Sequence, residues 1–246
     1  MQSRIAAELK LTTHPVAILF TNDKPKDAFQ FEPGQRGCVI APLTAAATEG
    51  RTAVFDRSTT GCSGAVTGLC FGTAYDRIPG GFEYFLSTGR GEGYPEGEGY
   101  KKTPELVRSL VDQLQTQNIP FTYVVFKPLR DVDPETETPQ LVCFYATPDQ
   151  LSGLVVLANY GRPGYDNVVI PFGSGCSSIC LHPYNESLRE RPRAVVGMTD
   201  VSARPYVPPN TFTFTVPYAM FREMEENIPG SFLERHAWQK VAARIG

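Results

Sequence analysis

The chain of 246 residues lacks an excess of basic residues, since 23 Lys and Arg stand against 26 Asp and Glu and the formal net charge is −3. Binding to nucleic acid or to an anionic membrane by bulk electrostatics needs such an excess, so we expect neither partner. Long apolar runs are also missing. Stretches such as residues 154–158 are far shorter than the ~18–20 residues of a membrane span. The first residues have no apolar signal core, which predicts a cytoplasmic protein.

Closely spaced cysteines are absent as well. No C-x-x-C pair occurs, which removes the best support for a zinc ribbon or a thioredoxin-like site, and the ferredoxin-type run of cysteines is missing. The six cysteines are instead dispersed, at positions 38, 62, 70, 143, 176 and 180. In a reducing compartment, dispersed cysteines can ligate a metal or cluster, act as reactive thiols, or pack as buried apolar side chains.

The sequence around Cys176 predicts a thiol at the start of a helix. It lies in a Gly-Ser-Gly-Cys turn directly after the apolar residues 168–172. Exposed N–H groups at a helix start favour thiolate over thiol. Cys180 follows four residues later and would share a helical face with Cys176.

Three other cysteines have informative neighbours. Cys38 follows Arg36-Gly37 at a loop-to-helix junction, and Cys62 lies in a turn that leads into a glycine-containing helical segment. Cys70 comes two helical turns after Cys62, so both could face one site. Cys143 lies inside a strand-like apolar run, where a free cysteine is typically a small buried residue.

Apolar segments that alternate between strand and helix patterns predict an α/β (or α+β) sandwich, with a mixed sheet, flanking helices and a single domain over residues 1–246. The predicted strands are residues 15–20, 52–55, 120–129, 141–146, 167–171, 193–198 and 211–216. The predicted helices are residues 41–49, 62–71, 103–117, 148–160, 175–182, 218–227 and 232–245. The last strand reads TFTFTV, and its alternation predicts one exposed face and an edge suited to pairing in a homo-oligomer.

A glycine-rich segment covers about residues 78–102. It is too poor in apolar residues to form a core beyond residues 82–86, and a loop of this length is usually a lid, a binding loop or a solvated excursion. It lacks the Walker A and dinucleotide-binding patterns. Arg77, Arg90, Lys101 and Lys102 could bind an anion, with solvated charges as the alternative.

Several stretches together resemble the family called domain of unknown function 169 (ArCR). They are PVAILF, RGCVIAPLTAAATEGRTAVFD, TTGCSGAVTGLCFG, ATPDQLSGLVVL, GSGCSSICLHPYNE and the tail that begins MTDVSARPYVPP. They span nearly the whole chain in the expected order. The resemblance carries no settled biochemical role, but its recurring cysteines match Cys38, Cys62 and Cys176, which implies a shared thiol-rich site such as an iron–sulfur cluster.

Two functions remain open at this stage. The first is a [4Fe–4S] cluster bound by Cys38, Cys62 and Cys176, with Cys180 or Cys70 as the fourth ligand or with one iron left open. Such a centre would perform redox or cluster-assisted chemistry on a small molecule, or pass electrons to a partner. The alternative is a metal-free thiol-dependent enzyme, or a small-molecule binding protein, that uses Cys176 with His182 as base. Asp200 and Arg204 are expected to form a structural ion pair.

Overall fold

One seven-stranded sheet organises the chain. The computed structural model describes residues 1–90 and 95–245. Its strands are β1 (Val16–Thr21), β2 (Ala53–Phe55), β3 (Tyr123–Pro128), β4 (Leu141–Ala146), β5 (Val168–Val169), β6 (Ala194–Gly197) and β7 (Phe212–Pro217). They follow the spatial order β2-β3-β1-β4-β7-β6-β5, and all neighbours are antiparallel except the parallel pair β5–β6. The predicted mixed sheet is confirmed.

Helices cover both faces of this sheet, as predicted for an α/β fold. The α-helices are α1 (Arg4–Glu8), α2 (Ile40–Glu49), α3 (Ser63–Gly68), α4 (Phe82–Phe85), α5 (Pro104–Gln113), α6 (Pro148–Tyr160), α7 (His182–Ser187), α8 (Tyr218–Glu226) and α9 (His236–Ala242). A π-helical turn, Ser177–Leu181, runs directly into α7. In the part of the chain that the structure describes, no helix combines the length and the apolarity that spanning a bilayer requires.

The two faces of the sheet bury different side chains. The face that we call the cysteine face packs Val16, Ile18 and Phe126 against α2, α3 and the π-helical turn. On the opposite face, alternate residues such as Ala17 and Val142 pack against α1, α6, α8 and α9. The period-two alternation of strand residues therefore supplies two separate cores from one sheet.

Strand β7 corrects one prediction from the sequence. The alternation of TFTFTV predicts an exposed face and an edge, but β7 lies between β4 and β6 and is buried from Thr213 onward. Phe214 and Val216 enter the opposite core, while Thr213 and Thr215 point to the cysteine face with no solvent exposure. Alternating polar and apolar residues are typical of a strand with one solvent-facing side, but both faces of β7 are covered.

Candidate functional site

Three cysteines that are far apart in sequence line one cavity, and each lies at the start of a helical segment. Cys38 comes two residues before α2, Cys62 is the N-cap of α3, and Cys176 precedes the π-helical turn. The cavity that they line has a volume of about 740 Å³, which lies within the range of small-molecule binding sites. The fold thus brings together the three thiols that the sequence singles out.

Two glycine turns hold Cys38 and Cys62 near each other. The backbone N–H of Gly37 donates to the carbonyl of Gly61 at 3.1 Å. Gly61 has a φ of 77°, and a Cβ at this position would lie 2.7 Å from the Gly37 carbonyl oxygen. Only glycine combines this left-handed backbone with such a close approach. The two turns therefore touch directly, and each carries its cysteine into the cavity.

Helix α3 joins Cys62 to Cys176. The Cys176 thiol donates to the carbonyl of Gly64 at 3.5 Å, within the first turn that Cys62 caps. One turn later, a Cβ on Gly68 would lie 2.5 Å from the Cys176 Sγ. The absence of a side chain at Gly68 is what lets Cys176 pack against this helix.

Hydrogen-bond donors surround the three sulfur atoms. The Cys62 Sγ accepts from the backbone N–H of Ala65 at 3.3 Å, and Ser174 Oγ lies 3.2 Å from the Cys176 Sγ. Cys38 accepts backbone hydrogen bonds from Ile40 and Ala41 at the start of α2. Such donors stabilise negative charge on sulfur.

The protonation of the three thiols is set mainly by burial. Burial raises the pKa of Cys38 and of Cys62 above the usual range, although Cys62 is accessible to water inside the cavity. Burial, together with the nearby Cys62, raises the pKa of Cys176 much further. The sequence predicts that the helix start activates Cys176 as a thiolate, but the raised pKa indicates the opposite. Cys176 is only 8% exposed, so the cost of desolvating its thiolate exceeds the stabilisation that the helix start provides.

Asp200 lines the cavity and does not form the predicted ion pair with Arg204. Its Oδ2 accepts from the backbone N–H of Gly175 at 2.8 Å, and its Oδ1 accepts from Ser202 and from the Tyr100 hydroxyl at 3.3 Å. The expected ion pair is not formed, since the Arg204 guanidinium donates to the carbonyls of Pro208, Pro209 and Thr211. Asp200 instead anchors the turn that carries Cys176.

Two further polar groups reach the cavity. His182 Nε2 is buried, has no hydrogen-bond partner among the described residues, and would lie 3.0 Å from a Cβ on Gly173. Burial lowers the pKa of His182, so the ring is neutral and can donate or accept one hydrogen bond there. Burial likewise raises the pKa of the Tyr75 phenol to about 12, with Cys176 adding to the effect. Both side chains line the cavity together with the three thiols.

The remaining cysteines lie away from the cavity. Cys180, predicted as a fourth ligand, is fully buried, and its sulfur lies 4.0 Å from that of Cys70. Neither residue lines the cavity. Cys180 lies within the π-helical turn that follows Cys176. Cys143 is fully buried in β4, as expected for a core residue.

The glycine-rich segment contributes walls to the same cavity. Its helix α4 and residues Ile78, Leu86 and Tyr100 line the space, together with the inner side of α5. These described residues therefore form part of a cavity wall, and ligand binding by the segment stays a prediction. Residues 91–94 of the predicted segment 78–102 lie outside the described part of the chain.

The cavity offers three thiols as donors to a metal centre. Within residues 1–90 and 95–245, no three His, Cys, Asp or Glu side chains are grouped so that they could hold one metal ion. In a polynuclear iron–sulfur centre, each thiolate binds a different iron, so the sulfurs stand farther apart. Cys38, Cys62 and Cys176 are soft donors of the type that such a centre uses, and they line one cavity.

Sequence reasoning missed the roles of Tyr75 and Ser174. Ser174 stands in the Gly-Ser-Gly-Cys turn two residues before Cys176, so proximity to a candidate ligand was an available signal. Tyr75 gave no such signal, because its approach to Cys176 depends on how the segment after α3 folds back.

Comparison with known proteins places the chain in a family. Searches of curated proteins and of solved structures found no significant match. A family model described as DUF169, uncharacterised ArCR, COG2043, matches residues 4–227. This match covers most of the chain and includes the three cavity cysteines, Asp200 and His182. The protein therefore belongs to the family of domain of unknown function 169.

Proposed function

We propose that this protein binds a [4Fe–4S] cluster through Cys38, Cys62 and Cys176 and leaves one iron without a protein thiolate. The observation that carries the proposal is the meeting of these three thiols, from three separate helix starts, in one cavity. The function that follows is redox or cluster-assisted chemistry on a small molecule.

Soft thiolate ligands are the donors that iron–sulfur clusters use. Without a bound centre, the raised pKa values keep the three thiols protonated. Cluster binding would release these protons, because only thiolates ligate iron, and the positive charge of the iron would offset the cost of burying three anions. The N–H groups that point at the sulfurs of Cys38 and Cys62 would then tune the potential of the centre.

A missing fourth thiol supports an open iron. Cys180 and Cys70 are the remaining nearby cysteines, and both are turned into the core against each other. An iron without a protein ligand can act as a Lewis acid or bind a substrate atom. The neutral His182 ring and the Tyr75 phenol stand where they would give or accept a proton from a molecule in the cavity.

The setting of this function is also part of the proposal. All six cysteines are free thiols, which is typical of a reducing compartment, so we infer that the protein works in the cytoplasm. Its partners would be a small-molecule substrate or an electron-transfer protein, and not nucleic acid, given the net charge of −3. Association into a homo-oligomer stays a prediction.

Purification without air tests the proposal. We expect a brown protein with iron and acid-labile sulfide in the ratio of the cluster, retained after desalting. Cys38→Ser, Cys62→Ser and Cys176→Ser should each lose the iron. The matched controls Cys180→Ser and Cys143→Ser should keep it, because their sulfurs lie outside the cavity.

A colourless protein, also after anaerobic reconstitution with ferrous iron and sulfide, would contradict the proposal. It would favour the metal-free alternative, a thiol-dependent enzyme or binding protein that uses Cys176. Iron loss caused by Cys180→Ser but not by Cys62→Ser would overturn the ligand assignment.

A further inference from the structure

The cavity extends beyond the thiols along an apolar wall. Tyr75, near Cys176, stacks on Phe82 of α4 with ring centroids 4.0 Å apart. From there the wall continues through Phe85 and Leu86 to Leu110 of α5 and to Leu114, which directly follows that helix. These side chains are half-buried, so they offer apolar area that a ligand could still cover.

Two guanidinium groups line this cavity without an acidic partner. Arg36 precedes the Gly37–Cys38 turn, and Arg77 ends the short helical turn that carries Tyr75. Neither side chain forms an ion pair with another described residue. Arg36, Arg77 and Glu98 are all exposed, and Glu98 forms no ion pair with another described residue. Asp200, the other carboxylate of the lining, accepts hydrogen bonds from Gly175 and Ser202.

The buried polar atom of the site completes this picture. His182 Nε2 faces the cavity without a partner, and a buried polar nitrogen in this state has a hydrogen bond left to make. An apolar pocket with a few convergent polar groups is the usual form of a site for a small organic molecule.

We propose that the cavity binds an organic acid, with its apolar body against the α4–α5 wall, its carboxylate on Arg77 and Arg36, and its remaining polar group at His182. This assignment of a substrate class rests on the proposed function for the reacting centre. The binding surface itself consists of residues other than the three cysteines. Arginine suits this task because its planar fork matches a carboxylate bidentately.

Calorimetric titration with defined probes tests the inference. Naphthalene-2-carboxylate, benzoate and octanoate are titrated into the anaerobically prepared protein, next to the uncharged naphthalene-2-carboxamide. We expect one naphthalene-2-carboxylate per chain, bound about ten-fold more tightly than the amide, the ratio expected for one charge-assisted contact. Saturable binding of none of the three acids, or equal affinity for naphthoate and its amide, would overturn the proposal.

Matched variants locate the site. Leu110→Gln should weaken naphthoate binding about ten-fold, while Leu106→Gln on the exposed side of the same helix should not, as Leu106 is 49% exposed and outside the lining. Arg77→Gln should reduce the preference for acid over amide, because Arg36 alone would then hold the carboxylate. The control is Arg108→Gln, whose guanidinium pairs with Glu83 and Glu105 outside the lining. The comparison uses variants that circular dichroism shows to be folded normally. Among these, equal effects within either pair would overturn the assignment.

The readouts keep the two proposals separate. Iron and sulfide analysis reports on the cluster, and the titration reports on the apolar wall and the guanidinium groups. A protein that contains the cluster but binds none of the acids would refute only the substrate class. A protein without iron that still binds naphthoate would refute only the cluster.

Discussion

The two faces of the sheet are built from the same strands but differ in what covers them. The opposite face is a conventional apolar core, in which residues such as Phe144 and Leu154 pack with helices α1, α6, α8 and α9. All six cysteines lie on the other side, where the covering segments touch through glycines such as Gly61 and Gly68. The cavity lies beside these glycine contacts, whereas the helices on the opposite face pack into an apolar core.

This difference indicates a division of roles. Both faces bury an extensive apolar core, but the cysteine face also carries the three thiols that line the cavity. Substitutions on the opposite face should therefore change stability without changing the thiol site. Substitutions at the glycine contacts should change the site with a smaller effect on the fold.

The largest expected effect is at Gly68. Gly68→Ala would place a Cβ 2.5 Å from the Cys176 Sγ, and Gly64→Ala would place one no closer than 4.0 Å, from the Cys62 Sγ. Because both residues lie in α3, the pair is a matched control. We expect Gly68→Ala to lose the bound iron and Gly64→Ala to retain it, as measured by iron content after anaerobic purification. Equal iron content in the two variants would show that iron binding does not depend on the contact between Gly68 and Cys176.

A core substitution on the opposite face should have the reverse pattern. Leu154→Ala removes a fully buried side chain, which typically costs about 2–5 kcal/mol of unfolding free energy. Denaturant titration measures that loss, while iron per folded chain should stay at the wild-type value. If folded Leu154→Ala protein lost its iron in the absence of denaturant, the separate roles of the two faces would be contradicted.

Asp200 should show an intermediate effect. Asp200→Ala leaves the Gly175 N–H without its partner at 2.8 Å, and an unsatisfied buried donor costs about 1–3 kcal/mol. Asp200→Asn keeps an oxygen acceptor at the same place and should lose less. We expect faster cluster loss in air for the alanine variant, followed by the decay of visible absorption. An asparagine variant that loses the cluster faster than the alanine variant would contradict this anchoring role.

The smallest effect is a pH dependence from Cys143. Burial raises its pKa in the folded protein to about 12, against a reference value of 9.0 for a solvated thiol. The folded-state pKa is the higher one, so this contribution to stability is complete below pH 9 and is lost as the pH rises towards 12. Wild type should therefore lose about 1.4 kcal/mol more than Cys143→Ser between pH 8 and pH 10. Parallel unfolding curves for the two proteins over that range would refute a neutral buried thiol.

Most of the fold could be predicted from local patterns. Residues 141–146 and 148–160 were predicted with the bounds that the structure shows for β4 and α6, because a continuous apolar run and a Pro-started helix give clear signals. The side-chain oxygen of Gln150 accepts from the backbone N–H of Thr147 and fixes that helix start. The position of β7 within the sheet could not be predicted, since strand order depends on contacts between distant residues.

The candidate site was predictable only in part. The sequence and its family resemblance singled out Cys38, Cys62 and Cys176, and the structure places all three at one cavity. The sequence offered no means to foresee that Cys180 would pack against Cys70 rather than line the cavity. Nor could it reveal that Asp200 bonds to Gly175 rather than to Arg204, because both partners are plausible from spacing alone.

Crystals grown without air and measured at the iron absorption edge test the central claim most directly. We expect anomalous scattering from iron inside the cavity, next to the sulfurs of Cys38, Cys62 and Cys176. The sulfur of Cys180 should still lie against that of Cys70. A cavity without iron in crystals of protein reconstituted with iron and sulfide, or iron bound elsewhere on the chain, would contradict it.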